Sequence, residues 1–314
     1  MHCLVTGVAG FVGSSLAERL VQEGHTVCGV DCFLDYYPRA DKERNLNSLK
    51  SESSFEFVEG DLLSVSLEKI CDGVDWIFHQ AGQAGVRASW GDYFETYVEN
   101  NVHATQRLLE YVRNGPGIKK FVFASSSSVY GNAESMPTLE SAVPQPVSPY
   151  GVTKLAGEHL VSLYGTELGV PTVSLRYFTV FGPRQRPDMA FHRFIRSILR
   201  KESITLYGDG EQSRDFTFIS DIVDANLLAA HKGKTAGVYN IGGGTNATVN
   251  EVLSLLEEKL GKFDIARFER QVGDARKTRA DTSLAQKELG FKPQVSLSDG
   301  LDREIEWLRS CVSS

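Results

Sequence analysis

Long hydrophobic runs, paired cysteines and an excess of basic charge are all missing from this 314-residue sequence. No stretch approaches the roughly 18 consecutive apolar residues that a membrane-spanning helix needs. The five cysteines are an odd number without CxxC spacing, which argues against a disulfide framework or a zinc site and fits a reducing cytoplasm. A net charge of −7 argues against nucleic acid as a partner. The opening MHCLVTG has no basic n-region, so we expect no signal peptide. Together with the composition, this predicts a soluble, cytoplasmic protein without a bound metal.

Strand-like and helix-like segments alternate through the first half of the chain. Apolar segments such as HCLVT, TVCGVD and KKFVFAS are separated by helical spacing, as in FVGSSLAERLVQEG. This alternation predicts an α/β fold, a doubly wound parallel (Rossmann) sheet with helices on both faces. Such sheets bind ligands beyond the carboxyl ends of their strands. The motifs GVAG, HQAGQAG, SSSSVYG and RYFTVFG all fall at those ends.

The pattern changes near residue 180, where the elements become shorter. We therefore predict a cofactor-binding Rossmann domain over residues 1–180. A smaller, partly interleaved α/β lobe is expected over residues 181–314, with some of its strands or helices returning to the first domain. A ligand site is expected at the interface between the two.

A glycine-rich turn, TGVAGFVG, places Gly7, Gly10 and Gly13 between the first strand and the first helix. Glycine allows positive φ and close backbone approach, so a pyrophosphate can lie on the N–H groups that begin the helix. Asp31 ends the second strand, where an acid accepts the ribose hydroxyls and favours NAD over NADP. Asp61, which ends the third strand, is a candidate for the adenine end, although an acid there is often a helix cap.

Tyr150 and Lys154 lie four residues apart in SPYGVTKLAGEHL, and Ser148 and Pro149 before them suit a helix start. Residues i and i+4 share one face of a helix, so the ammonium lies beside the phenol. A positive charge stabilises the phenolate and lowers the pKa of the tyrosine. Tyr150 is therefore predicted to act as a base near neutral pH.

Taken together, TGVAGFVG, HQAG, ENNV, SSSSVYG, YGVTK, RYFTVFGP and GDGEQSRDF resemble the extended short-chain dehydrogenase/reductases that act on nucleotide sugars, over essentially the whole chain. The resemblance implies that Ser126 assists Tyr150 and Lys154 in catalysis. It also implies that NAD binds to the following residues: Gly7, Gly10, Phe11, Val12, Gly13, Asp31, Asp61, Leu62, Gln80, Ala81, Gly82, Gln83, Asn100, Tyr150, Lys154 and Phe178. Gln80 departs from the commoner HLAA form and is treated as a neutral substitution.

The serine run bears on the type of reaction. In this family Tyr150 would take the proton of the sugar 4-hydroxyl, leaving a 4-ketosugar. The 4,6-dehydratases then use an Asp-Glu pair, and UDP-glucuronate decarboxylases a glutamate, in slots that hold Ser127 and Ser128 here. Since a serine hydroxyl cannot replace a carboxyl acid or base, the sequence favours 4-epimerisation.

GVRASWG and FTVFGPRQRPDMAFHR resemble the UDP-glucuronate 4-epimerase branch of the family. The resemblance implies that Arg186 binds the sugar carboxylate, with Thr179, Ser127 and Ser128 completing the site. A guanidinium binds a carboxylate through two parallel hydrogen bonds. We hypothesise that this grip suppresses loss of CO₂ from the 4-ketouronate. The remaining UDP-sugar contacts are expected from Arg87, Ser126, Tyr207, Arg214 and Asp274.

Several alternatives stay open at this stage. The arginines of GPRQR can instead be a diphosphate clamp or a solvated face. Arg87 can meet either substrate or cofactor phosphate, and Gln271 stands where many relatives have an arginine. A UDP-glucose or UDP-N-acetylhexosamine 4-epimerase, or an NAD-binding protein without catalysis, would share the same core. His192 is expected to be structural or exposed. The family also suggests a homodimer through helices around 93–114 and 150–168.

Overall fold

A seven-stranded parallel sheet forms the centre of the molecule, as the sequence predicted. The structure is a computed structural model that describes residues 1–115, 117–269, 273 and 275–312. The strands in sheet order are β3 (Phe55–Glu59), β2 (Thr26–Asp31), β1 (His2–Thr6), β4 (Trp76–His79), β5 (Lys120–Ser126), β6 (Thr172–Tyr177) and β10 (Gly237–Ile241). All neighbouring strands are parallel. The order reverses between β1 and β4, which is where such sheets open a ligand crevice.

Helices cover both faces of this sheet. In chain order they are α1 (Phe11–Gln22), α2 (Arg39–Asn45), α3 (Leu67–Ile70), α4 (Phe94–Val98), α5 (Ala104–Asn114), α6 (Pro149–Leu168), α7 (Ala190–Leu199), α8 (Ile219–Lys232), α9 (Val249–Leu260), α10 (Ser283–Leu289) and α11 (Leu297–Val312). One apolar core joins α1 and α8 to the sheet, and a second joins α5 and α6 to its other face. Among the described residues, no helix is long and apolar enough to cross a bilayer.

The pairing register brings the carboxyl ends of the central strands to one level. Thr6 pairs with Val30 on one side and with His79 on the other. The buried ring of His79 bonds Thr6 Oγ1 at 2.8 Å and Thr105 Oγ1 at 2.9 Å, which joins β1, β4 and α5. The turns that follow β1, β2 and β4 therefore open into the same crevice.

A smaller lobe lies beyond the carboxyl edge of the sheet. It contains a three-stranded sheet of β11 (Thr245–Thr248), β9 (Ser213–Phe218) and β7 (Thr179–Phe181), and a parallel pair of β12 (Ile265–Phe268) and β8 (Ile204–Tyr207). Its core is rich in phenylalanine, with the Phe191 and Phe216 rings 4.7 Å apart. Because β10 lies in the large sheet although it follows residue 181, the chain returns to the first lobe after entering the second.

The segment predicted as one long helix after residue 93 is interrupted. Helices α4 and α5 are joined by a π-helical turn over Glu99–His103. Such turns insert a residue into a helix and often occur at functional sites. This one contains Asn100, which faces the crevice. Continuous amphipathic spacing gave no signal of the interruption.

Candidate active site

A cleft of about 410 Å³ runs along the carboxyl edge of the large sheet. Every residue predicted to bind the cofactor lines it, from the glycine turn at one end to Tyr150, Lys154 and Phe178 at the other. Of the residues predicted for the sugar, the cleft is lined by Ser126, Ser127, Ser128, Thr179 and Arg186. The topology thus brings together residues that are up to 179 positions apart in the sequence (7 to 186).

The turn after β1 requires glycine for steric reasons. Gly7 has a φ of +67°, and its N–H donates to the carbonyl of Val30 at 2.8 Å. A Cβ on Gly7 would lie 2.7 Å from the backbone nitrogen of Ala81, and one on Gly13 would lie 2.2 Å from the Gly7 carbonyl oxygen. The turn is thus packed against the segment after β4, and it leaves the first N–H groups of α1 open to an anionic ligand.

Asp31 is held in place by two backbone groups. The N–H of Ala9 donates to Oδ2 at 3.0 Å, and that of Phe33 donates to Oδ1 at 2.8 Å. Burial raises the pKa of Asp31, although these bonds and the charge of Lys42 oppose the rise. A fixed carboxyl with lone pairs to spare suits two ribose hydroxyls, so the turn and Asp31 fit a dinucleotide.

Tyr150 lies in the first turn of α6, opposite the end of β5. Ser148 caps the helix by accepting from the N–H of Gly151 at 3.1 Å, and Pro149 occupies its first turn. The hydroxyl of Ser126 accepts from the N–H of Ser128 at 3.1 Å. Its own hydrogen remains available for the phenol oxygen of Tyr150, and hydrogen bonding from Ser126 opposes the rise in the pKa of Tyr150. Ser126 is therefore oriented as a donor at the atom that would accept a proton.

Burial dominates the electrostatics of Tyr150. Burial raises its pKa, while the Ser126 hydrogen bond and the charge of Arg186 oppose the rise. Lys154 is not one of these two groups, and the predicted lowering of the Tyr150 pKa by its charge stays a prediction. Burial lowers the pKa of Lys154 to about 8, opposed by the carboxylate of Glu158. The Lys154 ammonium lies 4.8 Å from the ring centroid of Phe123, at the floor of the cleft.

Arg186 forms the wall of the cleft on the side of the smaller lobe. Its guanidinium is paired with Asp188, with Nε–Oδ1 and Nη2–Oδ2 both at 3.0 Å. The Arg186 side chain is 20% exposed, so the pair is partly shielded from solvent. Among the described residues that line the cleft, the carboxylates are Asp31 and Asp61, both at the cofactor end. Ser127 and Ser128 hold the slots beside Ser126, so this end of the cleft is lined by hydroxyls and one guanidinium.

Comparison with known proteins identifies the family. Residues 3–242 match the model of the NAD dependent epimerase/dehydratase family. The chain belongs to this family. It is 46% identical to YtcB of Bacillus subtilis strain 168, named an uncharacterised UDP-glucose epimerase, over 99% of this chain and 98% of that one. It is 39% identical to the UDP-glucuronate 4-epimerase of Thermodesulfobacterium geofontis strain OPF15, over 99% of this chain and 97% of that one.

A solved structure extends the comparison. The UDP-glucuronic acid 4-epimerase of Bacillus cereus, in complex with UDP-glucuronic acid and NAD, superposes with a TM-score of 0.96 at 42% identity. The match covers 99% of this chain and all of the other. This NAD-dependent epimerase/dehydratase therefore has the Rossmann fold and the cofactor class that the sequence predicted.

A second cluster of predicted residues lies outside the cleft lining. The Arg87 guanidinium lies over the ring of Tyr207, 4.7 Å from its centroid, and Arg193 lies over the same ring at 5.6 Å. Arg214 Nη1 donates to the carbonyl of Ser213 at 2.9 Å. The structure thus brings Arg87 and Tyr207 together, as a shared ligand requires. Asp274 and Gln271 lie outside the described residues.

Some cleft residues of this family member were missed or undervalued. Tyr36, Tyr37 and Lys42 line the cofactor end but come from a polar loop and a short helix without a recognisable motif. Gln80 is more than a neutral substitution, because both ends of its side-chain amide are hydrogen-bonded. Its Nε2 donates to Asn226 at 3.0 Å and its Oε1 accepts from Tyr177 at 3.1 Å. His192 is buried, with Nδ1 2.7 Å from the carbonyl of Gln185, which fits the expected structural role.

Proposed function

We propose that the chain is a UDP-glucuronate 4-epimerase, which interconverts UDP-glucuronate and UDP-galacturonate through a transient 4-ketosugar. The observation that carries the proposal is the position of Arg186 on the wall of the cleft that also contains Tyr150 and Ser126. A guanidinium there supplies the bidentate partner that a C6 carboxylate needs. Two of the three relatives described above act on this sugar acid by name.

In this mechanism Tyr150 takes the proton of the sugar 4-hydroxyl, and Ser126 donates to the reacting oxygen. When bound, NAD supplies a hydride acceptor for C4 that can return the hydride to the opposite face. Lys154 lines the same cleft, and its positive charge would support the ionisation of Tyr150. Ser127 and Ser128 have no carboxyl group with which to take the C5 proton, so the ketone is left to rotate and be reduced.

We assign the remaining predicted residues to the two ends of the substrate. Thr179, Ser127 and Ser128 offer hydroxyls to the carboxylate gripped by Arg186. Arg87, Tyr207, Arg214 and Asp274 are assigned to the UDP portion, and the stacking of Arg87 on Tyr207 supports a shared base and diphosphate site. The cofactor lobe over residues 1–180 and the mainly substrate-binding lobe over 181–314 form part of the same proposal.

Location and assembly are also proposed here. Cys3, Cys28, Cys32 and Cys71 are free thiols, which supports a reducing, cytoplasmic environment. A homodimer is supported by apolar side chains that the structure leaves exposed on or beside α4 and α6. They include Trp90, Tyr93, Phe94, Val152 and Leu163. Exposed apolar clusters of this kind commonly mark protein interfaces.

The decisive experiment is NMR of the product after incubation with UDP-glucuronate and, separately, with UDP-glucose. Formation of UDP-galacturonate by the wild type, abolished in Tyr150→Phe, is the expected result. Accumulation of UDP-pentose would instead indicate a decarboxylase. Comparable epimerisation of UDP-glucose would favour a UDP-hexose 4-epimerase, the second candidate, which the name of the 46% identical relative supports.

A further inference from the structure

Arg186 already has a carboxylate partner in the chain. Asp188 occupies its Nε–Nη2 edge with two hydrogen bonds of 3.0 Å. Arg186 lines the cleft, whereas Asp188 does not belong to the described residues of the lining. Asp188 thus binds an arginine of the lining without belonging to the described lining itself.

Tyr36 fixes Asp188 from the cofactor side. Its hydroxyl donates to Asp188 Oδ2 at 3.2 Å, and its ring centroid lies 5.9 Å from the Arg186 guanidinium carbon. Tyr36 comes from the loop after β2, and a Cβ on Gly85 would lie 2.1 Å from its hydroxyl oxygen. Burial, followed by the charge of Asp188, raises the pKa of Tyr36, so the phenol stays protonated and keeps donating.

The chemistry of the guanidinium determines what this arrangement can do. Arginine presents five N–H groups in a rigid planar fork, so two carboxylates can bind to two different edges at once. Asp188 uses the Nε–Nη2 edge and leaves the Nη1–Nη2 edge for a second anion. The Asp188 carboxylate also offsets much of the positive charge of Arg186. We therefore expect Arg186 to recognise the position of the substrate carboxylate more than its charge.

We propose that Asp188 and Tyr36 are positioning residues of the uronate clamp, holding Arg186 by one edge so that its other edge fixes the substrate carboxylate. This inference rests on the proposed epimerase function. Loss of CO₂ from a 4-ketouronate breaks the C5–C6 bond and leaves its electron pair in a C4–C5 enolate, which a proton from water converts to the 4-ketopentose. The bond breaks readily when it is aligned with the carbonyl π system. An Arg186 side chain held by Asp188 and Tyr36 keeps the C5–C6 bond out of that alignment.

The test is Asp188→Asn, which keeps the shape of the side chain but can accept from only one arm of the fork. With UDP-glucuronate we expect kcat for epimerisation to fall about tenfold, because a small misplacement of the reacting centre is costly. The share of UDP-4-ketopentose in the product should rise. KM should stay unchanged or fall, because one negative charge near an anionic substrate is removed. A general loss of structure would not give this split between kcat and KM.

Tyr36→Phe is the second variant, since it removes one hydrogen bond without changing bulk, and the same shift in product should appear in smaller measure. Asp302→Asn is the matched control, because Asp302 pairs with Lys259 at 2.8 Å on the surface of α11. Its kinetics should match those of the wild type.

A wild-type product ratio and a wild-type kcat in both Asp188→Asn and Tyr36→Phe would overturn this inference but not the proposed function. A higher kcat/KM in Asp188→Asn would also overturn it, because Asp188 would then be a competitor of the substrate. A wild type that does not turn over UDP-glucuronate would overturn the proposed function itself.

Discussion

Burial works against the charged forms of both ionisable side chains at the proposed reaction centre. It raises the pKa of Tyr150 and lowers that of Lys154 to about 8. The tyrosine therefore depends on partners that favour phenolate, and the structure supplies the Ser126 hydroxyl and the Arg186 charge. Arg186 thus has two proposed tasks, because the cation that grips the sugar acid also stabilises the ionised base.

The pH dependence of catalysis should report Lys154. Its ammonium is present below a pKa of about 8 and is lost as the pH rises through that value. We expect kcat to decline on the alkaline side with an apparent pKa near 8, because the phenolate of Tyr150 loses a supporting charge. Initial rates between pH 6 and 10 measure this. A flat profile to pH 10, or an alkaline decline that persists in Lys154→Met, would contradict the assignment.

Arg186→Ala should separate binding of the acid from control of its reactivity. Without the guanidinium the carboxylate loses its bidentate partner, so KM for UDP-glucuronate should rise by about tenfold or more. UDP-4-ketopentose should also be released, which the wild type avoids. Product NMR and released CO₂ measure both effects. Arg193→Ala, which removes an arginine near Tyr207, is the control that should raise KM without producing the pentose. Clean inactivation of Arg186→Ala would not support the suppression of CO₂ loss.

At the scale of elements, the strands of the large sheet were predictable from the sequence. The interruption between helices α4 and α5 was not. Strands such as TVCGVD are short apolar runs buried on both faces, so their sequence pattern coincides with the observed β2. The π-helical turn at Glu99–His103 leaves the amphipathic spacing intact, and no local residue pattern indicates it. The Tyr36–Asp188 contact joins residues 152 positions apart, and only the folded structure brings them together.

Helix α11 carries a buried carboxyl that should make stability depend on pH. Glu304 accepts from the Gly182 N–H at 2.9 Å, and within the described structure its Oε1 has no hydrogen-bond partner. Burial raises its pKa well above the ordinary value. The native state therefore retains a proton that the unfolded state releases. The resulting stabilisation is present below pH 4.5 and is lost as the pH rises through the raised pKa.

Glu304→Gln should consequently stabilise the fold at neutral and alkaline pH. We expect a gain on the order of 1–2 kcal/mol in unfolding free energy at pH 8, shrinking towards pH 5, since the amide keeps the bond to Gly182 without the charge. Urea unfolding at several pH values measures it. Glu251→Gln is the control, and it should lower the unfolding free energy at neutral pH. Hydrogen bonds from Thr248 in the capping box of α9 lower the pKa of Glu251, so its ionised form stabilises the fold. Equal stability of Glu304→Gln and wild type at pH 8 would contradict the account.

At the scale of the whole molecule, the cleft depends on both lobes. Asp31 and the glycine turn follow strands of the large sheet, whereas Arg186 and Met189, which also line the cleft, lie beyond residue 181. Each motif is a local sequence pattern, so the motifs indicated the cleft residues of each lobe separately. Sequence alone did not show that Arg87 stacks on Tyr207 away from the cleft lining, since that depends on how the loop after β4 packs against β8.

The exposed apolar side chains of α6 predict how two copies assemble. Val152 and Leu163 are 48% and 51% exposed, and they lie on a helix that packs beside α4 and α5. In a twofold dimer the same patch meets its own copy, so a single substitution acts twice. Leu163→Glu should therefore convert a dimer into a monomer in sedimentation velocity. Val143→Glu is the matched control, because Val143 is 74% exposed but lies in the loop before α6. A monomeric wild type, or a Leu163→Glu variant that still sediments as a dimer, would show that this face is not the interface.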